Sequence, residues 1–537
     1  MAIRHLKWFC ILLLSGYVFC GNAQQIKTID DIQDSIVKQL HLFPQEKIHL
    51  HTDRDVYVSG EKIWFKAYVV DALNHESPTY SRYVYIELMN SSDSLVQRVM
   101  LCPDENGLFH GNLFLSELMP EGDYTLRAYT RYMEDPGDDY FFKKPIRISN
   151  FNLEKKQTRK QSKITYDVSF YPEGGYMVEG AICKVAYKAL NKNGISEFIT
   201  GEIVDKEENV ISEVSTVFAG MGLFTIIPEA GKTYFLRCKN QSGQEKRFQL
   251  PAAQKTYSIA INHRNKRFFT EVRKSPSMPE KPLYLLIHCR GMVLYFELWN
   301  DQQSPVVLPD NLFPSGVTQF VLLDEQMNPI SERLVFVKNN DQAQLTFSTD
   351  QPSYKKRDKV TSNIQITDSE GNPLTGHISV AITDDKDIAV DTLHTILSSL
   401  LLSSELKGYI ESPGFYLQDH TQAKYALDLL MLTHGWRRYD IPETLKGNYK
   451  LPTTTFEIQK EISGSVKSLF LGKPVTNGEI ILFTSNGDFG QLETDSAGFF
   501  SLYAHYPDSI TFILQAKNQK GKSNVELSLN QETFPVL

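Results

Sequence analysis

His49 and His51 alternate along an apolar stretch and are followed by Asp53. Residues two apart on a strand share a face, so two imidazoles would point the same way, as metal ligands do. No third ligand stands at a plausible spacing, and the alternative is an exposed strand face. Asp384, Asp385, Asp387 and Asp391 form an acidic cluster ahead of helical sequence. Oxygen-rich loops bind calcium, but the Gly and Glu positions of the helix-loop-helix calcium motif are missing, and carboxylates also favour a helix N-terminus through its dipole. Trp436-Arg437-Arg438-Tyr439 follows a helix-ending glycine and consists of the residue types enriched at partner-binding surfaces. The competing reading is that Trp436 seals a helical insertion onto its sandwich while the arginines pair with acidic neighbours.

None of these sets reaches a catalytic constellation. The nucleophile-elbow pattern Gly-x-Ser-x-Gly, the zinc-protease His-Glu-x-x-His and the phosphate-cradling Gly-x-x-x-x-Gly-Lys-Ser/Thr do not occur. The expectation is a non-enzyme that holds no cofactor and no metal. A net charge of −8, from 56 basic and 64 acidic residues interspersed along the chain, gives no nucleic-acid footprint. Arg264, Lys266 and Arg267, followed by Phe268 and Phe269, read as a solvated strand edge.

Residues 1–23 carry the three parts of a secretory signal: Arg4, His5 and Lys7, an apolar run from Trp8 to Phe19, and the small-x-Ala site Gly21-Asn22-Ala23. Cleavage between Ala23 and Gln24 is expected. A lipoprotein reading would use Cys20, but Phe19 sits where a small residue is wanted. No later apolar run approaches the roughly 20 residues of a membrane helix, so membrane association is expected only through a partner. Cys183 shares a face with Val185, Tyr187 and Ala189, and Cys238 with Tyr234 and Leu236. An oxidising compartment permits a disulfide between them, while buried free thiols are the other reading.

The elements that must position these residues are mostly strands. In the second half of the stretch Glu46–Val70, Ile63, Phe65, Ala67 and Val69 fall on one face and Trp64, Lys66 and Tyr68 on the other, a period of two. Thr28 and Asp31 cap a helix striped by Ile29, Ile32, Ile36 and Leu40, expected to pack on the first unit. Then come a strand-rich unit over 46–152, a second over 160–252 and a third over 255–345. A fourth, 346–457, is interrupted by a helical insertion at 391–435, and a last unit spans 458–537. Tyr57-Val-Ser-Gly-Glu61, Asn106-Gly-Leu-Phe-His-Gly111 and Glu121-Gly-Asp-Tyr-Thr-Leu-Arg127 are echoed by Tyr176-Met-Val-Glu-Gly180, Met221–Ile226 and Ala230–Arg237. Recurrence at this distance is domain duplication, and short alternating strands between Gly and Asn turns make β-sandwiches. In the insertion, Leu393, Ile396, Leu397, Leu400 and Leu401 form one stripe ended by Gly408. Asp419 with Gln422 caps a second, of Tyr425, Leu427, Leu430 and Met431, ended by Gly435.

With its Tyr-x-x-Gly-Glu-x-Ile start and its Glu-Gly-x-Tyr-x-Leu-Arg strand, the first unit resembles a macroglobulin domain of the alpha-2-macroglobulin type. The last, with Gly464, Gly472-Lys-Pro-Val475 and Thr494-Asp-Ser-Ala-Gly-Phe499, resembles a carboxypeptidase regulatory-like domain. Together with Phe170-Tyr-Pro-Glu-Gly-Gly175, Glu332-Arg-Leu-Val-Phe-Val337, Leu401–Ile410 and Leu432-Thr-His-Gly-Trp-Arg-Arg-Tyr439, the chain from Gln24 onward resembles a family of Gram-negative envelope proteins. Members often continue into the plug of a TonB-dependent receptor, and this sequence ends at Leu537, past the regulatory-like unit. The resemblance implies an all-β chain of tandem immunoglobulin- or fibronectin-like sandwiches of macroglobulin type with one helical insertion. It also implies export to the periplasm or outer-membrane surface. The function expected is a non-enzymatic scaffold that binds an envelope protein or glycan. Two rivals follow: an accessory to TonB-dependent uptake, and an endopeptidase inhibitor. The covalent form of the latter is unavailable, because none of Cys102, Cys183, Cys238 and Cys289 is followed by Gly-Glu-Gln.

Overall fold

The computed structural model describes residues 28–77, 80–151, 165–339, 341–384, 386, 391–435, 438–504 and 511–534. The expected signal, its Ala23–Gln24 cleavage site, Trp436, Arg437, Asp385 and Asp387 lie outside them.

In the first unit, Glu46–Thr52, Lys62–Asp71 and Phe109–Phe114 form one antiparallel sheet. Val56–Val58, Phe142–Ser149, Gly122–Tyr129, Val84–Met89 and Leu95–Leu101 form the other. Ile63, Phe65, Ala67 and Val69 are all buried between the two, while Trp64 is exposed, so the period of two fixes this strand's faces as expected. The second unit stacks a three-stranded on a four-stranded sheet, the third repeats that arrangement, and the last stacks two three-stranded sheets. Each encloses its own apolar cluster. The fold is all-β with a helical segment, as the alternation predicts.

Several expectations change. Helix α1 (Ile29–Leu42) forms with the expected reciprocal cap between Thr28 and Asp31. It does not pack on the first unit. Ile32 and Ile36 join Val293 and Phe296 of the third unit and Ile441 and Leu445 of the helical segment. An apolar stripe dictates that a helix face is buried, not against what.

The helical segment runs beyond the expected range: α2 (Ile396–Leu401), α3 (Thr421–Thr433) and α4 (Ile441–Leu445). The cap of α3 is His420, whose Nδ1 accepts from the Ala423 amide at 3.2 Å, while Asp419 pairs with Lys338 at 3.1 Å. These helices do not seal a fourth sandwich. Leu402, Leu406, Ala426, Leu429 and Leu430 pack with Ala186 and Met221 of the second unit and Leu286, Val321 and Leu334 of the third, forming one apolar cluster shared by all three parts.

The fourth unit is therefore not a sandwich among the described residues. Gln344–Thr349 pairs antiparallel with Ser362–Thr367, and residues 374–382 add no further strand. Lastly, Cys183 and Cys238 are thiols rather than a disulfide: the Val178 amide donates to Cys183 Sγ at 3.1 Å, and Cys238 Sγ lies 3.6 Å from the Tyr166 hydroxyl.

Candidate functional site at the joints between units

The chemistry-bearing residues of this chain gather where the units meet. The segment Phe170–Gly175 leaves its strand at Pro172, and Glu173-Gly174-Gly175 inserts into the third unit. Gly174 has φ +74°, and a Cβ there would stand 2.2 Å from Ser258 Oγ and 2.5 Å from Ser331 Oγ, so only glycine fits. Ser258 Oγ donates to the Glu173 carbonyl at 2.7 Å and Ser331 Oγ to the Gly174 carbonyl at 2.7 Å. The buried Glu173 carboxylate accepts from Arg333 Nε at 3.2 Å and from the Ile261 amide at 3.3 Å, with Lys184 at 3.7 Å and Arg273 at 3.7 Å. Arg333 Nη2 donates to Asp428 Oδ1 of α3 at 2.5 Å, and its Nη1 to the Leu334 carbonyl. One carboxylate and one guanidinium thus tie together two sandwiches and the helical segment.

A second joint holds the first unit to the helices. Lys47, on Glu46–Thr52, is buried, forms an ion pair with buried Glu405 and donates to the Leu400 carbonyl at 2.9 Å. Burial pushes its ammonium down to about 8 even though Glu405 works against the shift. Arg438 closes the joint. Its Nη1 donates to Gln45 Oε1 at 3.1 Å and its Nη2 to the Ser404 carbonyl at 2.7 Å, and the guanidinium lies 4.7 Å over the Tyr140 ring. Arg438 and Tyr439 are only 4% and 7% exposed. The expected partner surface is corrected for these two residues: an arginine with backbone and side-chain acceptors on two elements is an internal clasp.

The third joint explains the remaining candidates. Lys144 Nζ sits between Asp55 at 2.5 Å and Asp391 at 3.1 Å and donates to Thr52 Oγ1 at 2.8 Å. Burial alone would raise the Asp391 carboxyl. The hydrogen bond from His394 and the Lys144 charge overcome that and hold it well below the usual range. The cation of this acidic site is thus the chain's own ammonium. His49 is buried edge-on against Phe142, with centroids 5.5 Å apart, and His51 Nδ1 lies 2.6 Å from Ser379 Oγ. Burial pushes His49 down to about 3. Among the described residues no group of three or more His, Cys, Asp and Glu is placed to hold a metal ion. Asp384 is exposed, and Arg264, Lys266 and Arg267 are exposed at the end of a hairpin, as expected of a solvated edge.

Two open clefts lie beside these joints. One, about 1180 Å³, separates the first unit from the last and is lined by Arg131, Glu134, Phe456, Lys460 and Tyr503. The other, about 970 Å³, lies between the third unit and α3, with Lys184, Phe268, Tyr416, Tyr425 and Lys424 in its walls. Glu173, Arg333, Lys47 and Glu405 were not singled out from sequence as functional. Glu173, Arg333, Glu405 and Arg438 do all lie in the distinctive strings Phe170–Gly175, Glu332–Val337, Leu401–Ile410 and Leu432–Tyr439, and that was the available signal.

These features define a chain of β-sandwiches locked by buried ion pairs, with a macroglobulin-type domain first. Residues 47–144 match the MG2 domain family. No curated protein is found to match the chain. Among solved structures it is similar to a Salmonella alpha-2-macroglobulin reacted with methylamine, at 11% identity and a TM-score of 0.17 over 90% of this chain and 39% of that one. It is also similar to an Escherichia coli alpha-2-macroglobulin activated by porcine elastase, at 13% identity and a TM-score of 0.22 over 90% and 43%. A third likeness is to the Yersinia pseudotuberculosis adhesin InvE, at 12% identity and a TM-score of 0.15 over 41% and 66%. The chain spans about two fifths of the length of those macroglobulins. Likenesses this distant say nothing of activity.

Proposed function

We propose that this protein is a non-enzymatic scaffold of the cell envelope, exported to the periplasm or outer-membrane surface, which binds an envelope protein or glycan through the clefts beside its joints. The observation that carries the reading is where the buried charge goes. Lys47, Glu173, Arg333, Glu405 and Arg438 are each spent on holding units together. A buried ion pair of this kind is costly to desolvate, and its best-attested use is to specify one arrangement of parts. A rigid array with open clefts suits presentation and capture. The resemblance of residues 458–537 to a regulatory-like domain, and of the whole to chains that continue into a receptor plug, makes a TonB-dependent receptor a candidate partner.

The test is capture of partners from a Gram-negative envelope extract on the immobilised full chain, with mass spectrometry of what is retained and competition by soluble glycans. Recovery of a defined envelope protein, or release by one glycan class, supports the scaffold. The rival inhibitor reading is checked with common endopeptidases: selective loss of protein cleavage with small-substrate cleavage intact would replace the scaffold by an inhibitor.

A further inference from the structure

The hairpin Gln344–Thr349/Ser362–Thr367 is a two-stranded sheet with no second sheet on it among the described residues. Its register pairs Leu345 with Ile366 and Phe347 with Ile364, so four apolar side chains lie on one face, while Gln344, Thr346, Ser348, Asn363 and Gln365 lie on the other. In the other sandwiches such an apolar face is covered by a second sheet. Here Leu345 is 60% and Phe347 59% exposed. A two-stranded hairpin with a bare apolar face is marginal by itself and marks an interaction surface.

The charges of the hairpin are sorted by end. Its loop, 350–361, carries Lys355, Lys356, Arg357 and Lys359 against Asp350 and Asp358. The loop is closed by ordered contacts: Asp350 accepts from the Tyr354 hydroxyl at 2.6 Å and the Thr361 amide at 2.9 Å, and Asp358 from the Lys355 amide at 2.7 Å. Among the described residues none of the four cationic side chains has an acidic partner. The opposite end, where Gln344 meets Thr367, is flanked by Asp341, Asp368 and Glu370. The hairpin thus has a basic tip and an acidic base, roughly 20 Å apart at the rise of a six-residue strand.

We infer that the missing second sheet is the same hairpin of a second copy of this chain, the two stacked face to face about a two-fold axis. Aligned sheet packing matches the lengths of identical hairpins, and a two-fold axis across the strands places the basic tip of each over the acidic base of its partner. The apolar face is then self-complementary in shape and the ends are self-complementary in charge. A parallel stack would set tip on tip and is disfavoured by like charge.

Sedimentation velocity of the full chain over a concentration series, at low and high salt, tests this. The expected result is a concentration-dependent dimer that weakens as salt rises. Phe347→Asp, at a position already exposed, is expected to give monomer throughout, with the melting temperature that the wild type shows at a concentration too low for association. The charge arms are a tip variant, Lys355→Glu/Lys356→Glu/Arg357→Glu, and a base variant, Ser369→Lys/Glu370→Lys, which leaves the turn-forming Asp368 in place. Each alone is expected to be monomeric, and an equal mixture to form heterodimers, because the acidic tip of one then meets the basic base of the other, while at the opposite end the unaltered basic tip meets the unaltered acidic base. A wild-type chain that stays monomeric, a dimer that survives Phe347→Asp, or a mixture that fails to pair would overturn the inference. So would hydrogen-exchange protection of 344–349 and 362–367 in the monomer, which would mean that this chain covers the face itself.

Discussion

At the joint around Glu173 the chain buries charge, and at the hairpin over 344–367 it exposes hydrocarbon. Both invert the usual partition, and the comparison shows what each inversion requires. Glu173 is tolerable inside because Arg333, Lys184, Arg273 and the Ile261 amide surround it. Leu345 and Phe347 have no such compensation among the described residues, and their exposure calls for a covering surface from outside. A buried charge closes a question of assembly within one chain. An exposed apolar face opens one between chains.

The sharpest way to break the comparison is to unpair the joint. Arg333→Ala leaves Glu173 buried without its main partner, and breaking a buried pair costs about 3–5 kcal/mol. Denaturant melts should show a midpoint shift of that size, with hydrogen exchange rising first at 170–175 and 331–337. A loss below about 1 kcal/mol would mean that the joint is wet and the units swing freely. Gly174→Ala attacks the same joint through the backbone. It forces a Cβ against Ser258 and Ser331 at a left-handed φ, and is expected to cost about 1–3 kcal/mol. Fluorescence-monitored urea unfolding would register it, and a neutral result would show that the Glu173 loop can withdraw without loss.

Protonation probes the interior from another side. Burial pushes His49 down to about 3 and His288 down to about 4. The unfolded chain takes up protons at these sites as pH falls past about 6.5, whereas the folded chain does not until pH nears the lowered values. Stability present above pH 6.5 is therefore lost as pH falls through that window, by up to about 1.4 kcal/mol per pH unit for each histidine. The window from 6.5 to 5 lies above the ordinary carboxylate range, so the double variant His49→Gln/His288→Gln should reduce the slope of the stability profile there, burial of His51, His75 and His434 supplying the slope that remains. An unaltered slope would place both rings in contact with water.

Much of the architecture could be read from local pattern. Ile63, Phe65, Ala67 and Val69 declare their face by a period of two, and Thr28 with Asp31 declares the start of α1 by a cap that needs only four residues. Reading failed where the determinant was not local. Nothing in the stripe of Ile32 and Ile36 says that it meets Val293 and Phe296, and nothing near Lys47 points to Glu405, because that pair exists only after the chain has folded back. Alternation at Ile364 and Ile366 announces a strand and is silent on whether a second sheet will face it. Arg438 looked like a surface residue by type alone, and it was the cluster of acceptors at Gln45 and Ser404 that drew it inside.

The smallest expected effect is the one that most sharpens the contrast. Truncating a buried Phe removes both transfer energy and packing, and costs about 3–5 kcal/mol at a site such as Phe65. Phe347 occupies the comparable inward position of its strand, with the same alternation, yet it is 59% exposed and no apolar cluster includes it. Phe347→Ala should therefore change the stability of the monomer by no more than about 0.5 kcal/mol, the range of surface substitutions. The measurement is a urea melt at a protein concentration low enough to suppress association. Repeated at high concentration, the same variant should melt below wild type, because only the wild type gains the stabilisation that mass action confers on a dimer. Equal losses at both concentrations would mean that Phe347 is packed within its own chain. The hairpin would then belong with the joints, and the contrast between the two regions would be gone.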